Sequence, residues 1–177
     1  LVATLPILLL AMLAILIETG RPIFYRQERV GQGGKPFTIY KLRSMTQDAE
    51  KDGKPRWAGA NDARVTAVGR FLRRSRIDEL PQLYNVLRGD MSFVGPRPER
   101  PEFVARLTAQ IPFYGLRHTV KPGLTGWAQV RYTYGASVED AMEKLQYDLF
   151  YIKHLSLPLD LYVIFQTVKT VVLRKGA

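Results

Sequence analysis

Two adjacent carboxylates, Asp78 and Glu79, lie in an otherwise strongly basic stretch of the chain. The arginines around them are Arg70, Arg73, Arg74, Arg76, Arg88 and Arg97. A carboxylate surrounded by guanidinium groups suits a pocket for anions, in which it can attack a substrate or bind a metal ion. Because apolar helical periodicity begins directly after the pair, the same residues could instead cap a helix N-terminus on a solvated surface. On the local sequence alone, capping is the commoner explanation.

The composition narrows the class of protein. The chain has 177 residues, enough for one domain with a hydrophobic core, and it contains no cysteine. Disulfides, a thiolate nucleophile and a cysteine-type zinc site are therefore excluded. The two histidines, His118 and His154, are far apart and are interpreted as structural or superficial rather than catalytic. A net charge of +10 indicates a polyanionic partner, which could be nucleic acid, an anionic membrane surface or a phosphorylated substrate.

The first segment, 1–17, has no charged residue and is almost entirely apolar. As a helix rising ~1.5 Å per residue it would be about 26 Å long, slightly less than a ~30 Å hydrocarbon core. Pro6 lies within this run and would kink such a helix. Three alternatives stay open: a transmembrane span, a buried core helix, and a helix that enters the membrane and returns. The basic residues that follow favour the cytoplasmic side; they are Arg21, Arg26, Arg29, Lys35, Lys41 and Arg43.

Hydrophobic periodicity predicts an α+β fold that is mostly helical. Two short strands, 23–25 and 36–41, flank a glycine-rich turn that lacks the spacing of a phosphate-binding Walker loop. A polar surface loop is predicted over 46–62, and a tight loop over 117–130 leads to a further short strand. The predicted helices are 63–74, 79–87, 102–110, 138–155 and 157–175.

Two further stretches each allow a functional and a structural interpretation. Arg97 stands between two prolines, whose stiff backbone would hold its guanidinium for bidentate binding of a phosphate or would simply form a rigid turn. The last helix, 157–175, together with aromatic residues of the preceding helix, carries an apolar surface. That surface suits either a membrane interface or the protein core.

Several motifs, in this order along the chain, resemble those of the bacterial sugar transferase family, the monotopic polyprenyl-phosphate phosphoglycosyl transferases. The block from Arg76 to Pro98, which contains both carboxylates, carries the strongest likeness. The other matching blocks are Phe24–Gly31, Tyr40–Met45, Lys121–Val130, Tyr147–Asp148, Tyr151–Lys153 and Leu157–Leu161. The resemblance covers essentially the whole chain, and ordered motifs at matching separations make it highly specific.

The resemblance implies an enzyme that transfers a sugar-1-phosphate from a UDP-sugar to undecaprenyl phosphate and releases UMP. This reaction initiates the synthesis of exopolysaccharide, O-antigen or another glycoconjugate. The resemblance implies that Asp78 is the nucleophile, which forms a covalent aspartyl-phosphosugar, and that Glu79 helps to hold Mg²⁺. Arg97, Arg88 and Lys41 are expected to bind substrate phosphate.

The resemblance also implies a small membrane-associated fold with interfacial amphipathic helices. A re-entrant membrane helix over 1–20, broken at Pro6, would have both ends in the cytoplasm. A catalytic domain over 21–177 would face the cytoplasm at the bacterial inner membrane. Membrane lipids are then partners, and a homo-oligomer is compatible with the sequence. Further membrane helices can precede residue 1, as in many members of the family.

Two hypotheses from other classes compete with this one. The first is a basic, non-enzymatic protein at the membrane surface that recruits anionic lipid or an assembly partner. The second, nucleic-acid binding, is disfavoured because the arginines flank acidic residues and a hydrophobic anchor, and because no RNA- or DNA-binding motif is present. If the chain is a transferase, donor specificity is expected in 46–62 and 99–140, with Arg131, Tyr132 and Tyr134 as candidates for base or sugar recognition.

Overall fold

A computed structural model describes residues 4–49, 62–132 and 137–172, which form helices and two small β-sheets. The α-helices in these residues are α1 (Leu5–Thr19), α2 (Ala67–Arg74), α3 (Leu83–Arg88), α4 (Pro101–Gln110), α5 (Trp127–Arg131), α6 (Val138–Lys153) and α7 (Leu157–Val172). The strands are β1 (Phe24–Val30), β2 (Pro36–Leu42), β3 (Ser92–Val94) and β4 (Gly123–Thr125). Short 3₁₀ helices cover Gln32–Gly34, Ile77–Gln82 and Tyr114–His118. The predicted α+β class with mostly helical structure is confirmed.

Strands β1 and β2 form an antiparallel hairpin, with Phe24 opposite Leu42 at its open end. In its turn, Gly33 and Gly34 adopt left-handed conformations with φ of 65° and 77°, which glycine tolerates without steric cost. The predicted hairpin is therefore confirmed, although β1 covers seven residues instead of the predicted three. Pairing with the more apolar β2 keeps the polar residues of β1 extended, although their own strand propensity is low.

Helix α1 packs one face against the rest of the protein and exposes its other face. Leu8, Ala11 and Ile15 are buried against Leu42 of β2 and Leu72 of α2. The 3₁₀ helix that carries the two carboxylates packs against the same cluster through its apolar side chains. The exposed apolar residues of α1 are Leu5, Ile7, Leu9, Leu10, Leu13, Leu16 and Ile17. Among the described residues, none of the helices combines the length and the apolar character needed to cross a membrane.

Pro6 is the second residue of α1. In this first turn the backbone N–H groups have no acceptor within the helix, so proline is tolerated. Within Leu5–Thr19 the helix is continuous, so Pro6 lies at its start and does not kink it. Residues 1–3 are outside the described part of the chain. A break between two helical arms at Pro6, and a division into 1–20 and 21–177, therefore stay predictions.

A second region of the core lies around α4, α6 and α7. Its buried side chains form two clusters: Phe103, Leu107, Ile111, Tyr114 and Leu145 in one, and Val94, Tyr151 and Val163 in the other. Beside them β3 and β4 pair in parallel. A Cβ atom on Gly123 would lie 2.1 Å from the backbone nitrogen of Gly95, so only glycine permits this approach. The contact fixes the start of the loop that carries Arg97.

Three further predicted elements differ from the structure. The helix predicted over 79–87 is divided into the 3₁₀ helix Ile77–Gln82 and α3. Pro81 cannot donate a backbone hydrogen bond, which favours the tighter 3₁₀ turns at this point. The loop predicted over 117–130 contains β4 and then turns directly into α5. The predicted helix 63–74 begins later, at Ala67, because the Oγ1 of Thr66 caps it by accepting a hydrogen bond from the N–H of Gly69 at 2.9 Å.

The remaining predicted helices are confirmed to within a few residues over their described parts. They are 102–110, 138–155 and 157–175, which correspond to α4, α6 and α7. The central part of the predicted loop 46–62 lies outside the described residues.

We expect Leu72→Ala to lower the free energy of unfolding by about 2–5 kcal/mol, because it removes a buried side chain from the cluster shared by α1, α2 and β2. Phe71→Ala is the matched control: its side chain is next along the same helix and is 64% exposed, so a change within about 0.5 kcal/mol is expected. Thermal or urea unfolding followed by circular dichroism measures both. Equal losses for the two variants would contradict the packing described for α2.

Candidate active site

The two carboxylates, Asp78 and Glu79, are turned into the protein by a sharp change of chain direction after α2. Arg76 adopts a left-handed conformation with φ of 57°, which is uncommon for a residue other than glycine. The 3₁₀ helix that starts at Ile77 then carries both carboxylates inward, and each is only 6% exposed. The interpretation as capping residues on a solvated surface is therefore wrong, because the side chains are buried.

Glu79 is held by two cations from distant parts of the chain. Its Oε1 accepts hydrogen bonds from Lys41 Nζ at 2.8 Å and from Arg97 Nη2 at 2.7 Å. Its Oε2 lies 3.9 Å from Arg76 Nη1. Burial opposes ionisation of Glu79, but Arg97 and Lys41 outweigh it and hold the pKa of Glu79 well below its usual range. Glu79 is therefore ionised at neutral pH.

Asp78 has the opposite environment. Among the described residues its carboxylate makes no hydrogen bond or ion pair, and its Oδ1 is fully enclosed without a partner. Burial raises the pKa of Asp78, and the neighbouring charge of Glu79 raises it further, while Lys41, Arg73 and Arg76 act against this shift. A buried carboxylate oxygen without a partner is costly, and such groups are concentrated where a ligand completes the site.

A cleft of about 1060 Å³ opens in front of Asp78. Basic side chains dominate its charged lining: Arg29, Lys41, Arg43, Arg64, Arg73, Arg76, Arg97, Arg100, Arg117, Arg131 and Lys144. The carboxylates on its wall are Asp78, Glu99 and Asp148. This volume suits a ligand of nucleotide-sugar size, and the charge favours an anionic one.

The structure brings together most of the site residues predicted from the sequence. Asp78, Lys41 and Arg97 line the cleft, and Glu79 lies directly behind them. Arg88 does not line the cleft. Its exposed guanidinium stands at the end of α3, with Nε 3.4 Å from Asp90 Oδ2. A phosphate-binding role for Arg88 stays a prediction.

The candidates for donor recognition are only partly described. Arg131 and Tyr132 line the cleft. The guanidinium of Arg131 lies 4.6 Å from the centre of the Trp127 ring, and the Tyr132 hydroxyl donates to Asp140 Oδ1 at 2.7 Å. Tyr134 lies outside the described residues.

Sequence reasoning missed Arg117 and Asp148, which form a buried ion pair in the cleft wall with Nη2 and Oδ2 2.8 Å apart. The two residues are 31 positions apart and belong to different helices, so no local pattern connects them. The only signal in the sequence was the position of each residue inside, or next to, a block that resembles the family.

The comparison with known proteins agrees with this geometry. A family model described as "Bacterial sugar transferase" matches residues 1–174, so the chain belongs to this family of transferases. An Aeromonas hydrophila protein named as a UDP-N-acetylgalactosamine-undecaprenyl-phosphate N-acetylgalactosaminephosphotransferase is 46% identical over 97% of the chain. UDP-glucose:undecaprenyl-phosphate glucose-1-phosphate transferases of Caulobacter vibrioides and Klebsiella pneumoniae are 47% and 45% identical, each over 97% of the chain.

These relatives are longer proteins. The chain spans 40% of the Aeromonas protein, 65% of the Caulobacter protein and 37% of the Klebsiella protein. The matched part is the part that carries Asp78, Glu79 and the basic cleft, so the relatives share the segment from which this site is built.

The contrast between the two carboxylates predicts opposite effects of two isosteric substitutions. We expect Asp78→Asn to raise the melting temperature by a few degrees, because it removes a buried, unpartnered charge. The sign follows from the raised folded-state pKa of Asp78: ionisation costs stability as the pH rises from the unfolded-state pKa through the folded-state pKa, and the full cost is present above the folded-state pKa. Thermal unfolding at pH 7 measures the effect.

Glu79→Gln is the matched comparison, and we expect it to destabilise the protein by about 3–5 kcal/mol, since it leaves the charges of Lys41 and the partly exposed Arg97 beside a neutral group. The lowered pKa of Glu79 means that its contribution is present above the unfolded-state pKa and is lost as the pH falls through the folded-state pKa. The variant should therefore differ least from the unmodified protein in strong acid. A loss of stability in Asp78→Asn equal to that in Glu79→Gln would show that the two carboxylates are equivalent.

Proposed function

We propose that this chain transfers a sugar-1-phosphate from a UDP-sugar to undecaprenyl phosphate and releases UMP. The single observation that carries the proposal is the unpartnered carboxylate of Asp78, which faces an arginine-lined cleft beside an ionised and fully compensated Glu79. The names of the relatives support the same donor and acceptor classes.

The proposed reaction has two displacements at one phosphorus atom. First, a carboxylate oxygen of Asp78 bonds to the phosphorus that carries the sugar, and the bond from that phosphorus to the bridging diphosphate oxygen breaks. UMP leaves with the bridging oxygen, and an aspartyl-phosphosugar is formed. Second, a phosphate oxygen of undecaprenyl phosphate bonds to the same phosphorus and the aspartyl bond breaks, which restores the carboxylate. Each group attacks as an oxyanion, so neither step needs a general base once that group is ionised.

The side chains around Asp78 have separate tasks in this reaction. Arg73 and Arg76 lie on the cleft wall and offset the charge of the diphosphate as it approaches an anionic nucleophile. Arg97 and Lys41 hold Glu79 and keep it ionised, and Arg97 is still about one-third exposed, so its guanidinium can also reach a substrate phosphate. A cation already bound to Glu79 is thereby available at the reacting centre.

The carboxylate pair suits a magnesium ion that takes most of its ligands from substrate phosphates and water, as is usual for Mg²⁺. Among the described residues, no cluster of three or more Asp, Glu, His or Cys side chains forms a complete metal site. Oε1 of Glu79 is already engaged by Lys41 and Arg97, whereas Oε2 has only Arg76 at 3.9 Å. Oε2 of Glu79 would therefore hold the ion, which would supply positive charge to the diphosphate.

We further propose that the chain works at the cytoplasmic face of the bacterial inner membrane, with α1 in the lipid as the arm of a re-entrant helix. The exposed apolar face of α1 supports this, since it lies opposite the face that packs beneath the carboxylates. A second apolar surface on α7 supports an interfacial position for that helix; its exposed residues are Leu157, Leu161, Tyr162, Ile164, Phe165 and Val168. An acceptor with a lipid tail requires such a position.

The decisive measurement is UMP release from a panel of UDP-sugars with undecaprenyl phosphate and Mg²⁺. We expect release with at least one donor, its loss when EDTA removes the metal, and a fall of at least about a thousandfold in Asp78→Asn. Absence of UMP release across the panel, with vesicle binding unaffected by Asp78→Asn, would favour a non-enzymatic protein of the membrane surface.

The covalent step is tested separately, without the acceptor. A donor labelled in its sugar-bearing phosphate should leave about one equivalent of label on the protein, at Asp78, together with one equivalent of UMP. Transfer to undecaprenyl phosphate without any labelled protein, and without UMP release in the absence of acceptor, would indicate direct transfer between the two substrates.

The re-entrant arrangement predicts that tags placed before residue 1 and after residue 20 both report the cytoplasm in intact cells. A tag at residue 177 is the control. Because the catalytic part is expected in the cytoplasm, a periplasmic signal from this tag would indicate that the assay has failed. A periplasmic signal before residue 1 alone would show that the first segment crosses the membrane.

A further inference from the structure

The loop that carries Arg97, residues 96–99, is bound to other segments of the chain through its backbone carbonyls. Two of its four residues, Pro96 and Pro98, have no N–H, so the loop has little capacity to hydrogen-bond to itself. Four consecutive carbonyls instead accept hydrogen bonds from other segments: Pro96 from Gly123 N at 2.9 Å, Arg97 from Arg117 Nη2 at 2.8 Å, Pro98 from Arg29 Nη1 at 3.0 Å and Glu99 from Val30 N at 2.9 Å. The position of the Arg97 backbone thus depends on donors elsewhere in the fold.

Of these donors, Arg117 is the one that contacts Arg97 itself. Its guanidinium is buried and its other hydrogen bonds are made to protein groups: Nε donates to Asp148 Oδ2 at 3.1 Å, and Nη1 donates to the Tyr114 hydroxyl at 2.7 Å. Nη2 is shared between Asp148 Oδ2, at 2.8 Å, and the carbonyl of Arg97. The two contacts with Asp148 fix the plane of the guanidinium and direct Nη2 at the Arg97 carbonyl.

The energetics of this pair also favour a geometric role. A buried ion pair recovers little more than the cost of removing two charges from water, so it is a weak source of net stability. Asp148 lies on α6 and Arg117 follows α4, and together they connect these helices to the backbone of Arg97. The Arg97 guanidinium in turn lies 2.7 Å from Glu79 Oε1. Hydrogen bonds therefore connect α6 to Glu79 through Arg117 and Arg97.

We propose that Arg117, locked by Asp148, is a positioning residue that sets the place of Arg97 beside Glu79 and in the cleft. Arg117 acts through the Arg97 backbone and does not itself need to touch the reacting atoms. The inference rests on the proposed function, because its consequence for turnover is a misplaced phosphate-binding guanidinium.

A double-mutant cycle on UMP release tests the coupling. We expect Arg117→Lys and Arg97→Lys each to lower kcat/KM by about tenfold to a hundredfold, since a lysine provides a single point charge in place of a fork of donors. If Arg117 acts through Arg97, the double variant should be no more than about twofold worse than Arg97→Lys alone. Multiplication of the two single losses would overturn the proposal.

Tyr114→Phe is the matched control on the same guanidinium. It removes the hydrogen bond to Nη1 but leaves the contact of Nη2 with the Arg97 carbonyl. We expect it to lower the melting temperature while kcat/KM stays within about twofold of the unmodified protein. A loss of turnover in Tyr114→Phe as large as in Arg117→Lys would mean that Arg117 only stabilises the fold. Should Arg117→Lys fail to fold, Asp148→Asn replaces it in the cycle, with the same expected non-additivity.

A second measurement does not depend on turnover. The Arg97 Nη2–H signal in ¹H–¹⁵N NMR spectra should be protected from solvent exchange by the hydrogen bond to Glu79 Oε1 in the unmodified protein and in Tyr114→Phe, and should lose this protection in Arg117→Lys. If the unmodified protein releases no UMP, the proposed function is wrong and this signal alone decides whether Arg117 positions Arg97. If UMP is released but the cycle is additive and the signal is unchanged, the function stands and the positioning role is wrong.

Discussion

The whole site depends on the burial of two adjacent carboxylates that receive unequal compensation. Glu79 takes two short contacts from Lys41 and Arg97, whereas Asp78 has an enclosed oxygen without a partner. Two neighbouring acidic groups in a low-dielectric region would otherwise compete for one proton. Assigning both cations to Glu79 lets that residue stay ionised and leaves Asp78 available to a ligand. Burial of an unpaired carboxylate costs stability, and such costs are concentrated at functional sites. The arrangement is therefore best understood as a site for chemistry.

The rest of the fold supplies the parts of this arrangement from separate segments. Strand β2 carries Lys41, the left-handed turn at Arg76 directs the carboxylates inward, and the proline-flanked loop carries Arg97. Helix α1 closes the core beneath the carboxylates with one face and exposes apolar side chains on the other. Helix α1 thus connects the segment that carries the carboxylates to an exposed apolar surface. The proposed acceptor, which combines a phosphate with a long hydrocarbon chain, has the matching chemistry.

Local rules predicted a good part of this molecule. The glycine-rich hairpin and the helices α4, α6 and α7 followed from periodicity and turn residues. Asp78, Glu79 and Arg97 were singled out mainly by the resemblance to the family, and the structure brings these three residues together. The errors came where tertiary contacts overrode local preference. Strand β1 is longer than its polar sequence suggests because β2 pairs with it, and the helix after Asp78 is divided because Pro81 favours 3₁₀ turns. Arg88, close to the dyad in the sequence, ends α3 and does not line the cleft, and its predicted phosphate-binding role stays a prediction.

By itself, the sequence determined which residue types are present and in what order: two carboxylates among arginines, an arginine between prolines, and an apolar first segment. These are properties of short stretches, and short stretches are what periodicity and motif spacing report. The tertiary structure alone decided which carboxylate is compensated, since Lys41 and Arg97 lie 38 and 18 positions from Glu79. It also joined Arg117 to Asp148 across 31 positions and to the carbonyl of Arg97. Charge compensation and burial depend on distances through space, and those distances exist only after the chain has folded.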